Sequence, residues 1–112
     1  MIDRHAANTQ RMIEAVLTTP GDTDPALRRS VKQWAAELGS RPSAQSSEVL
    51  PELAVYVKKV ALHAYKTTDE DIEALQNAGL SEDAIFEITL SAALGAGMAR
   101  LECGLTALKG DR

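Results

Sequence analysis

TTDEDIEALQNAGLSEDAIFEITLSAALGAGMARLECGLTAL, from Thr67 to Leu108, decides the fold. Thr68 stands at a helix N-cap, and Asp71 sits at the capping-box position, where Glu is commoner. Asp69, Glu70, Asp71 and Glu73 load the start of that helix with negative charge, which its dipole favours. Ile72, Leu75 and Leu80 are expected to face inward, and Asn77-Ala78-Gly79 ends the segment. Ser81 then caps a second helix with Glu82 and Asp83 in its first turn. This helix is expected to run from about Glu82 to Leu108.

Two stripes run along the long helix. Leu90, Leu94, Met98, Leu101, Leu105 and Leu108 recur at helical spacing, and Ser91, Gly95, Ala99, Cys103 and Ala107 recur every fourth residue. Gly95, Gly97 and Gly104 each cost ~1 kcal/mol relative to Ala inside a helix. That cost is offset where another helix backbone comes close. A helix with a large seam and a small seam contacts more than one neighbour, and the chain is short enough for a neighbour to belong to another subunit.

Upstream, three more helices are expected. The first covers about Asp3 to Leu17, with Met12, Ile13, Val16 and Leu17 as its apolar patch. The second begins with Asp24 as N-cap and Pro25 at N1, carries Leu27, Val31, Trp34, Ala35 and Leu38, and stops at Gly39. The third runs from about Pro51 to Lys66 with Leu53, Val57, Val60 and Ala64 along its apolar stripe. Residues 40–49, beginning SRPSAQSS, are the most loop-like segment and too short to separate two domains. The expected organisation is one all-α domain over residues 1–112: N-terminal helices in 1–39, a linker in 40–49 and a helical core in 50–109. The third and fifth helices are expected to pair antiparallel.

Composition narrows the function classes. A net charge of −4 with no basic run argues against nucleic acid or an anionic membrane as partner. No stretch reads as the ~18 consecutive apolar residues of a membrane span, and no signal-peptide core is evident. The single cysteine, Cys103, cannot form a disulfide within the chain, which fits a cytoplasmic location. Aromatic residues make up only 4%, so the core must be built of Ala, Leu, Val and Ile, which suits close-packed helices.

From Pro51 to Leu108, the order helix, AGLSEDAIFEI, small-residue helix resembles the alkylhydroperoxidase D-like and carboxymuconolactone decarboxylase-like superfamily. The resemblance implies an alkylhydroperoxidase D-like helical fold and a homo-oligomer, a trimer or hexamer. In the peroxidase branch a C-x-x-C-x-x-x-H motif opens the short helix, with a Gly eight residues after the His and a Glu twelve before the first Cys. A low-pKa thiolate, a resolving thiol one turn away and a proton relay perform that chemistry. Counting back from Gly79 puts the His position on Asp71, the resolving Cys on Thr67 and the nucleophile on Ala64, leaving only Glu52 of the set. With one cysteine in the chain, an intramolecular two-cysteine peroxidase mechanism is excluded by residue inventory.

The remaining candidate catalytic residues are His63, Glu52 and Tyr56. With Lys59 they lie along one flank of the third helix, where a general acid/base and hydrogen-bond partners could border a pocket for a small organic ligand. The decarboxylase branch of the resemblance needs no cysteine pair, and His63 would there act on a small organic acid or lactone. The competing expectation is an amphipathic boundary, with Lys59 in water and Tyr56 and His63 half buried. A non-catalytic interaction protein is the third reading. Cys103 is expected to be a small packed hydrophobe. The acidic group around Asp69 to Glu73 lacks calcium-loop spacing, and His5, His63 and Cys103 form no metal set, so neither metal nor cofactor is expected. Gly95-Ala96-Gly97 lacks the third glycine and the preceding strand of a nucleotide fingerprint. Arg28-Arg29 and Lys58-Lys59 read as solvated faces.

Overall fold

The computed structural model describes residues 3–46, 49 and 51–110, with side chains from residue 7 onward. Five α-helices form: α1 (Asp3–Thr18), α2 (Pro25–Leu38), α3 (Pro51–His63), α4 (Asp69–Asn77) and α5 (Glu82–Lys109). A 3-10 turn, Ala64–Lys66, follows α3. No strand occurs among the described residues, so the fold is all-α.

Local signals set the helix ends. The Asp24 carboxylate accepts from the Ala26 N–H at 2.9 Å, and Pro25 opens α2. The Thr68 N–H donates to the Asp71 carboxylate at 2.8 Å, the backbone half of the capping box. Ser81 Oγ accepts from the Ala84 N–H at 3.0 Å and starts α5. Gly79, at φ 105°, makes the turn between α4 and α5 where a side chain would be strained. Gly39 ends α2 as expected, but in right-handed helical angles, with its N–H donating to the Glu37 carbonyl. The third helix ends three residues early, because Ala64 to Lys66 tighten into the 3-10 turn.

The core lies among α2, α3 and α5. Val31, Trp34, Leu38, Val57, Ile88 and Ala92 are at its centre. Two cross-contacts set the direction of α3 against α5: Tyr56 meets Thr89, and Ala61 meets Arg100. Both residue numbers rise together, so these helices run parallel, and the expected antiparallel pair is not formed. The turn and α4 carry the chain back before α5 begins. Helix α2 follows the same direction, since Thr23 meets Glu87 and Lys32 lies against Gly95. In the linker that returns from α2 to α3, two of the described residues pack into the core. Ala44 and Val49 are buried, and the Trp34 indole N–H donates to the Ala44 carbonyl at 3.1 Å.

Helix α5 outruns its neighbours. Its buried face carries Ile85, Ile88, Ala92, Gly95 and Ala96, but every residue from Leu101 to Gly110 is exposed. By length and composition α5 could cross a membrane; 39% of its most apolar window is buried inside the fold. On length and composition this corrects the sequence expectation of no such stretch, since uncharged Gly, Ala, Ser and Thr separate the leucines of α5.

Candidate functional site

The flank of α3 singled out in the sequence divides into separate environments. Glu52 is exposed at the start of the helix and His63 is exposed at its end. Tyr56 is buried, and its hydroxyl lies 2.7 Å from Thr89 Oγ1. Thr89 donates its own hydroxyl proton to the Ile85 carbonyl at 2.7 Å, so Tyr56 is the donor to Thr89. Lys59 is not simply in water: its Nζ bridges both Asp71 carboxylate oxygens, at 2.9 and 3.1 Å. The Lys59 hydrogen bond, with the Thr68 N–H second, holds the Asp71 carboxyl below its ordinary range. The position to which the resemblance assigns the peroxidase histidine is therefore occupied by a residue that caps α4 and ties it to α3. Around His63 the one ring neighbour described is Tyr65, edge-on at 6.1 Å.

An open groove lies elsewhere, where α5 runs past the ends of α2 and α3. Its volume is about 730 Å³. Ala36 and Gly39 form one side, Ala61 and Leu62 another, and Ala99, Cys103 and Ala107 of α5 the floor. Arg100 and Glu102 bring charge to it. This is the small-residue seam of the long helix: farther back the same face is filled by α2, and here it is left open. Arg100 donates one guanidinium proton to the Ala61 carbonyl, which fixes it across the gap between α5 and α3. Glu52, Tyr56 and His63 do not line the groove. Cys103, expected as a packed hydrophobe, is exposed there because the seam outlasts the helices that would cover it.

A second polar cluster, which the sequence reading did not identify, anchors the α1–α2 connection to α5. Glu87 accepts from the Asp22 N–H at 2.9 Å, the Thr23 N–H at 2.8 Å and the Thr23 hydroxyl at 2.5 Å. Burial pushes the Glu87 carboxyl up, but the Thr23 and Asp22 hydrogen bonds outweigh it and hold the group below its ordinary range. Ser81 Oγ donates to Asp22 at 2.6 Å. Arg28, read as part of a solvated face, is only 2% exposed. Its guanidinium donates to the carbonyls of Val16, Thr19 and Thr23, closing the end of α1. The missed signal was spacing, for Arg28 lies on the stripe Arg28, Val31, Ala35, Leu38 that faces the core.

Among the described residues no group of three or more His, Cys, Asp or Glu side chains could hold a metal ion. No family model matches the chain, and neither a curated protein nor a solved structure matches it.

Proposed function

We propose that this protein is a self-associating helical scaffold that binds a small organic ligand in the groove beside α5, without two-cysteine peroxidase activity. The observation that carries this reading is the groove itself. Its volume falls in the range of small-molecule sites, and its walls are mostly small apolar side chains, with Ser40, Arg100, Glu102 and Thr106 adding polar groups. Arg100 has five N–H donors and gives one to Ala61, so it suits a carboxylate or carbonyl at the polar end of the ligand. Glu102, on the same rim, favours a ligand that also offers a hydroxyl. A small organic acid with an apolar body meets both conditions.

The helix order from Pro51 to Leu108 supports kinship with the alkylhydroperoxidase D-like scaffold, as a diverged member whose thiol site has become Ala64 and Thr67. The decarboxylase reading through His63 has less support, because Tyr56 is committed to Thr89 and His63 stands in solvent. The discriminating experiment is a thermal-shift screen of small organic acids against the wild type and Ala99→Trp, which fills the groove floor. Stabilisation of the wild type, absent in Ala99→Trp, is the expected result. No stabilisation by any acid, with both proteins folded, would leave a non-catalytic interaction protein as the better reading.

A further inference from the structure

Helix α1 lies outside the core. Among its described side chains only Ile13 and Leu17 are buried, and neither belongs to the cluster that joins α2, α3, α4 and α5. The hydrogen-bonding side chains described in α1 act within the helix. Arg11 donates to Asn8 at 3.0 Å, and Thr18 donates to the Glu14 carbonyl at 2.6 Å. The apolar contacts of the chain thus fall into a large body without α1 and a small one beneath it.

Polar contacts divide the attachment of α1 into a catch and a fixed end. The catch is Arg28 of α2, whose buried guanidinium donates to the Val16 carbonyl and, at 2.7 Å, to the Thr19 carbonyl. Both carbonyls stand at the C-terminal end of α1, where helix carbonyls lack partners of their own and the dipole favours a cation. The fixed end is the connection to α2. Glu87 accepts from the Asp22 and Thr23 N–H groups, a Cβ on Gly21 would collide with its carboxylate, and Ser81 holds Asp22. None of these contacts uses α1. The third Arg28 bond ends on the Thr23 carbonyl, within the same fixed segment. If α1 departs, the guanidinium keeps that acceptor, and the freed donors and carbonyls meet water.

We infer that α1 is a releasable strap, which lifts off Arg28 as one unit while residues 21–23 stay on Glu87 and α2 to α5 keep their fold. Lifting it uncovers Ile13 and Leu17 and breaks the bonds to Val16 and Thr19, whereas unfolding the rest uncovers the whole core cluster. The strap is therefore the first element to open. Once off, a helix of 16 residues is marginal in water, so release also unwinds it. The open form bares the Arg28 guanidinium and the surfaces of α2 and α5 on which α1 rests. Anything that binds one form in preference shifts the balance, which makes α1 a regulatory element. The catch lies near the start of α2 and the groove at its end, so the two are independent.

Native-state hydrogen exchange in rising, sub-denaturing urea tests the strap. In the wild type the amides of Met12 to Leu17 should exchange roughly 100-fold faster than those of Ile88 and Ala92, with a weaker urea dependence. Val57→Ala loosens the core from α3, which does not touch α1 among the described residues. It should speed exchange at Ala92 roughly tenfold or more and leave α1 unchanged, because the open and closed forms share that core. Arg28→Met keeps the stem, removes the donors and should speed α1 exchange by about tenfold. The wild-type and Val57→Ala measurements decide the outcome even if Arg28→Met does not fold. Three results would each overturn the strap: α1 amides matching Ala92 in rate and urea dependence, Val57→Ala speeding both alike, or a folded Arg28→Met leaving α1 unchanged. Unprotected α1 amides in the wild type would overturn it too, since α1 would then not dock.

Discussion

The carbonyl of Lys32 on α2 occupies the space that a side chain at Gly95 on α5 would need. That contact leaves no room for a side chain between α2 and α5 at this level. Gly95→Ala is expected to destabilise the monomer by about 2 kcal/mol, because backbone rather than a movable side chain must shift. Gly104→Ala is expected to do the reverse, stabilising the monomer by up to ~1 kcal/mol through helix propensity alone. Urea denaturation at concentrations too low for association checks both; equal effects at the two positions would contradict the distinction.

Acid should loosen the attachment of the α1–α2 connection to α5. The folded Glu87 carboxyl lies below its ordinary value of 4.5, so its contribution is complete above that value. It is lost as pH falls through the lower, folded-state value. Glu87→Gln should therefore be less stable than the wild type near neutrality, with the difference shrinking towards pH 3. Denaturation midpoints across that range provide the measurement. A difference that grows on acidification would be inconsistent with hydrogen bonds favouring the carboxylate.

Tyr56 is expected to serve structure. Tyr56→Phe removes the donor to Thr89 and should cost about 1 kcal/mol of stability. It should leave any ligand-induced thermal shift unchanged. A Tyr56→Phe protein of normal stability that no longer responds to ligand would return the α3 flank to the site.

Cys103 should react with a thiol reagent in the native protein at close to the rate of an open thiol, since it is exposed in the groove. A ligand in the groove should slow that reaction. Hydrogen peroxide should not be turned over with a dithiol reductant, because the chain has no second cysteine to resolve a sulfenic acid. Catalytic peroxide consumption would contradict the residue inventory.

Helix positions were legible because their signals are local: the Asp24-Pro25 and Ser81 starts and the Gly79 turn act within a few residues. The parallel course of α3 and α5 was not legible, since it depends on how residues 64–81 return the chain, and no short pattern encodes that. Arg28 was misread because two adjacent arginines suggest solvent, whereas the carbonyls at the end of α1 satisfy one of them in the interior. The two seams of α5 were visible as spacings. Which seam is covered, and where the cover stops, depends on the lengths of α2 and α3, so the groove emerged only from their assembly.

The most direct measurement compares thermal stabilisation by small organic acids in the wild type, His63→Ala and Ala99→Trp. An acid that stabilises the wild type and His63→Ala alike, but not a folded Ala99→Trp, is the predicted outcome and locates the ligand beside α5. Stabilisation that survives in Ala99→Trp and disappears in His63→Ala would place the ligand on the α3 flank and contradict the groove.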